Sequence, residues 1–126
     1  MRVTEAARWG RMTTAPTDLF PFQRLAVYRA ARELVVVIQK GRIRDGELRD
    51  QAERASKSVL LRLAEGLPHD TTGMRMKYFR EAKGSLFETV AAVDAAGAIG
   101  ALDDEVAVEA MRLAFDVKRM LRGLMK

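Results

Sequence analysis

Residues 103–124 read DDEVAVEAMRLAFDVKRMLRGL. Val106, Ala110, Leu113, Val117, Met120 and Leu124 recur at intervals of three and four, the spacing that lays side chains along one face of an α-helix. Asp103 is an N-cap residue type, and Asp104 and Glu105 complement the positive end of the helix dipole. Lys118, Arg119, Arg122 and Lys126 complement the negative end in the same way. A helix with such a stripe must bury it against other elements, and the rest of the chain supplies them in kind.

Upstream, Thr71 is placed to cap a third helix that runs to Gly97 through Phe79, Ala82, Leu86, Val90 and Val93. Gly84 in its middle costs about 1 kcal/mol against alanine, so a close helix–helix contact is expected there. A second helix is expected from Asp45 as N-cap to about Glu65, with Leu48, Ala52, Ala55, Val59 and Leu63 inward and Gly66 and Pro68 as the stop. On its solvated side, Asp50/Arg54 and Glu53/Lys57 are spaced for i,i+4 pairs. A first helix is expected to begin near Pro21, capped from Asp18, and to end at Gly41. Its apolar face is Val27, Tyr28, Ala31, Leu34, Val35 and Ile38, and Val36 and Val37 fill the gap between turns.

Connections this short make neighbouring helices antiparallel. The predicted fold is all-α, an antiparallel up-down-up-down four-helix bundle over residues 20–126. Residues 1–19 lack periodicity and carry Arg2, Arg8, Arg11 and Trp9; they are expected to form a flexible arm, in which Met12 would serve as an alternative start. The first helix, Met111 and Phe115 on the fourth, and Phe87 on the third all carry apolar surface beyond one core face, so bundles are expected to associate with one another.

Composition narrows the chemistry. With no cysteine, disulfides, thiolate catalysis and sulfur-ligated metals are excluded. His69, the single histidine, lies in a loop beside Asp70, whereas a di-iron bundle needs two Glu-x-x-His pairs on facing helices. There is no glycine-rich phosphate loop, HExxH or nucleophile elbow. Glu33, Glu65 and Glu88 would make a carboxylate site only if two of them met out of water. Glu65 opposes the dipole of its own helix end, which asks for a specific partner such as an arginine. No enzymatic activity, cofactor or metal is expected. No window reaches the length of a membrane span, and the cytoplasm is the expected location.

The net charge of +5 and pI of about 10.0 favour polyanionic partners. Arg75, Lys77, Arg80 and Lys83 crowd the start of the third helix, and Lys118, Arg119, Arg122 and Lys126 the end of the fourth. Antiparallel packing places both clusters at one end of the bundle, opposite Asp94, Asp103, Asp104, Glu105 and Glu109. These eight basic residues are the candidate nucleic-acid-binding site, with Tyr78 as a ring on which a base would stack.

The chain also resembles a known family. Phe22-Gln23-Arg24-Leu25 with Val27-Tyr28, followed by Ala31-Arg32-Glu33-Leu34, resembles the opening helix of the four-helix-bundle proteins encoded in intervening sequences of bacterial 23S rRNA genes. Asp50-Gln51, Ser58-Val59 and Ala64-Glu65-Gly66 follow in the family's order, and Phe79 with Ala82-Lys83-Gly84-Ser85-Leu86 and Glu88 is similar to its third helix. Two stretches depart from it: Val59-Leu60-Leu61-Arg62-Leu63 replaces an Ile-Pro-x-Asn run, and Leu67-Pro68-His69-Asp70 replaces a basic loop. The same fold group contains the accessory variability determinant of diversity-generating retroelements. The resemblance therefore implies a homo-oligomer, a pentamer, with RNA or DNA and a reverse transcriptase as partners. The alternative reading is a protein-interaction scaffold that binds no nucleic acid.

Overall fold

The computed structural model describes residues 20–126, so the arm expected over 1–19, with the Asp18 cap, lies outside the described residues. A 3-10 turn, Pro21–Arg24, precedes four helices: α1 Ala26–Gly41, α2 Gly46–Gly66, α3 Thr72–Ala98 and α4 Asp104–Leu124. Each helix packs against its sequence neighbours, and α1 closes the ring against α4. Gly41 at the end of α1 abuts Val106 at the start of α4, and Gly66 at the end of α2 abuts Tyr78 and Phe79 early in α3. In the first link, the Arg44 backbone N–H donates to the Ala101 carbonyl in the third at 2.8 Å. Neighbouring helices are therefore antiparallel, the up-down-up-down bundle that the periodicity predicts.

The core forms from the expected faces, with Leu34 and Ile38, Val59 and Leu63, Phe79 and Leu86, and Leu113 and Val117 all buried. The Asp45 carboxylate accepts from the Leu48 N–H at 2.9 Å, and Thr71 Oγ1 accepts from the Met74 N–H at 3.4 Å, so both helices start at their expected caps. Two contributions come from outside the periodic segments. Ile43 in the first link and Leu102 in the third are buried and plug one end of the bundle.

Several local expectations are corrected. Pro21 opens the 3-10 turn rather than α1, and Leu25 then adopts an extended conformation, so the helix begins at Ala26. Gly41 ends α1, but the left-handed position falls on Arg42, with φ 47°. Gly41 instead serves a contact, since a Cβ there would collide with the Val106 side chain. Gly84 has open space beside it among the described residues, so no close contact with another helix accounts for it. Asp103 sits at the N-cap of α4, but its side chain makes no cap hydrogen bond; its carboxylate instead accepts from Arg44 Nη1 at 3.0 Å. Asp50/Arg54 and Glu53/Lys57 close no ion pair among the described residues.

Packing around the ring is uneven. On the α2–α3 side the buried residues include Ala52, Ala55, Ser56, Ala82, Thr89 and Ala92, small enough for the helices to approach closely. Ser58 Oγ and Ser85 Oγ share a 2.8 Å hydrogen bond across this pair, and the Thr89 hydroxyl donates to the Ser85 carbonyl at 2.8 Å. The α3–α4 seam is the loosest of the four. There the bundle opens into a groove.

Candidate nucleic-acid interface

Helical periodicity decides which of the eight basic residues share a surface. Lys83, Phe87 and Val90 lie at i, i+4 and i+7 on the side of α3 that turns toward α4. Phe115, Lys118 and Arg122 answer them from α4. Lys83, Lys118, Arg122 and Lys126 line one groove of about 510 Å³ over a floor that includes Leu86, Leu121 and Met125. A second section of about 130 Å³ shares Leu86, Phe87 and Lys118 and carries the furrow on to Val90 and Met111. None of these four cations forms an ion pair with a carboxylate among the described residues.

The other four basic residues do not join them. Arg75 lies four residues before Phe79, on the core-facing side of α3. Its guanidinium sits 5.8 Å from the Phe79 ring centroid, and its Nε is buried without a hydrogen-bond partner among the described residues. Lys77 Nζ lies 5.4 Å from the Tyr78 ring centroid, and Arg80 is exposed but does not line the groove. Arg119 belongs to the outer face of α4, where Nη2 meets Asp116 Oδ1 at 3.2 Å. The same face carries Arg112 between Glu109 at 2.8 Å and Asp116 at 3.4 Å. The hydrogen bond that Arg112 donates to Glu109, then that carboxylate's charge, pushes the Arg112 pKa up. The single basic rim expected from the two clusters is thus one groove-lining quartet and four separately placed cations.

Tyr78 lies apart from the groove. The His69 ring stacks on it at 5.3 Å and 9°, so the loop histidine occupies a face offered to a base. The exposed rings of the groove are Phe87 and Phe115, 49% and 67% accessible. Lys83 Nζ lies 5.7 Å from the Phe87 centroid and Lys118 Nζ 5.8 Å from that of Phe115. At such exposure a cation–π contact is worth only about 0.5–1 kcal/mol. In the sequence these two phenylalanines read as surplus apolar surface; only the seam geometry sets them among the cations.

The opposite end is less acidic than the two carboxylate-rich segments imply. The link after α1 brings Arg42 and Arg44 there, and Arg44 pairs with Asp103 and also donates to the Gly100 carbonyl at 3.1 Å. Glu65 has the arginine partner its position called for: Arg62 Nη1 lies 2.7 Å from it, while Arg62 Nε reaches Glu81 on α3 at 3.1 Å. Among the described residues no three His, Asp or Glu side chains converge as a metal site requires. No helix of the described residues is long and apolar enough to cross a membrane.

A family model described as 23S rRNA-intervening sequence protein matches residues 23–123. No curated protein matches the chain.

Proposed function

The chain belongs to the 23S rRNA-intervening sequence protein family, and from that premise we propose that it is a non-enzymatic, oligomeric bundle that binds RNA or DNA through its α3–α4 groove. One observation carries this reading. Four cations from two neighbouring segments of the chain, Lys83, Lys118, Arg122 and Lys126, line one groove and form no ion pair with a side-chain carboxylate among the described residues. Such a concentration of unpaired positive charge attracts phosphates through counterion release. The likeness to retroelement accessory proteins supports an accessory role beside a reverse transcriptase, in the cytoplasm. Exposed Ile99 and Val108, at the opposite end of the bundle from Arg122 and Lys126, support self-association, and the pentamer comes from the same likeness.

The test is salt-dependent oligonucleotide binding by the full chain. Four contacts at about 0.7 each give a log–log salt slope of about −3 on a single strand. Exchanging Lys83, Lys118, Arg122 and Lys126 together for glutamine abolishes that binding without lowering the melting temperature, because these side chains are exposed. Unchanged binding by this variant overturns the proposal. The apolar floor of Leu86, Leu121 and Met125 supports a second reading, a protein-interaction scaffold. On that reading no oligonucleotide binds at any salt and an acidic protein partner occupies the groove.

A further inference from the structure

We infer that the α3–α4 groove takes nucleic acid as a single strand, with Phe87 and Phe115 as base-stacking platforms and the cationic quartet on the phosphates. The inference rests on the nucleic-acid reading above and names the form of the strand. Single-strand binders combine a positive groove with aromatic faces on which unpaired bases stack. Both parts are present on one seam. The cations are Lys83, Lys118, Arg122 and Lys126, and the aromatic faces are Phe87 and Phe115, exposed to solvent and each flanked by a lysine.

A duplex uses only half of this arrangement. Its bases are stacked on one another and its phosphates lie outside, so it would engage the cations and leave both phenylalanines and the leucine floor in water. An unpaired base covers that apolar surface. The lysine over each ring is held weakly enough to be released to a phosphate when a base takes its place. The furrow runs along α4 from Met111 to Lys126, roughly 22 Å at 1.5 Å per residue, enough for a handful of nucleotides.

The experiment compares fluorescence anisotropy of a labelled oligothymidylate with that of the matching dT·dA duplex, using the full chain and a Phe87→Leu/Phe115→Leu variant. Leucine keeps the helices and the apolar character but removes the stacking faces. The expected result is tighter binding of the single strand by the unaltered chain. The variant loses that affinity roughly tenfold or more and keeps its duplex affinity. Equal loss on both forms, no loss on the single strand, or a duplex preference in the unaltered chain overturns the inference and leaves the nucleic-acid reading standing. Absence of binding to either form at low salt removes both. Light scattering on the variant closes the remaining route: a changed oligomeric mass assigns the two phenylalanines to contacts between copies and overturns the inference.

Discussion

Gly66, the last residue of α2, lies against Tyr78 on α3 so closely that a Cβ on the glycine would stand 2.9 Å from the tyrosine Cβ. The Phe79 ring would be 3.1 Å away. The tripeptide Ala64-Glu65-Gly66 thereby acquires a physical meaning. Glu65 is tied to Arg62, which also reaches Glu81, and Gly66 lets the two helices converge just below that arginine bridge. Replacing Gly66 by alanine forces α2 and α3 apart at a buried, backbone-proximal point. A loss of about 1–3 kcal/mol in urea unfolding is expected, more than the alanine recovers in helix propensity.

Gly84 gives the opposite expectation. It lies within α3, and among the described residues nothing approaches the position a Cβ would take. Gly84→Ala should stabilise the chain by about 1 kcal/mol, read as a melting temperature several degrees higher. A destabilised variant of altered mass in light scattering would place a second copy against this position.

Ser58 and Ser85 form the one side-chain hydrogen bond between hydroxyls of α2 and α3. Alanine at either position leaves the partner hydroxyl partly buried and short of a bond, at about 1 kcal/mol each. The double variant should cost less than the sum of the two, because no orphaned hydroxyl remains; a double-mutant cycle in urea measures the coupling.

Tyr28 supplies a pH dependence. Burial raises its pKa above 10.0, and the Arg32 charge opposes this more weakly. The folded state therefore holds the phenolic proton more tightly than the unfolded one. The resulting stability is fully present below pH 10.0 and is lost as the pH rises from there through the folded pKa. Thermal melts across that range should fall for the unaltered chain and fall less for Tyr28→Phe, which retains the edge-on contact with Phe22 at 5.2 Å.

Most of the core was legible because the signal is local. Spacings of three and four residues place Val59 and Leu63, or Leu113 and Val117, on one face whatever the helix packs against. Ile43 and Leu102 carry no such signal, since each plugs the bundle from a link whose position depends on both flanking helices. Pro21 shows the same limit. Its fixed φ suits a helix start, but it suits the 3-10 turn as well, and the extended Leu25 decides between them.

The candidate site was half legible, and Arg75 and Phe87 show why. In the sequence Arg75 is one of four basic residues, yet its register with Phe79 turns it toward the core. Phe87 reads as a surplus hydrophobe, yet it shares its seam with Lys83 and Lys118. The sequence by itself determined the four helices, their caps at Asp45 and Thr71, their antiparallel order and their family, because periodicity, capping and link length act within a few residues along the chain. The tertiary structure alone decided that Lys83, Lys118, Arg122 and Lys126 face one groove while Arg119 joins Asp116 on the outside. That division depends on how far each helix is rotated about its own axis, and side chains distant in sequence set the rotation by packing in the core.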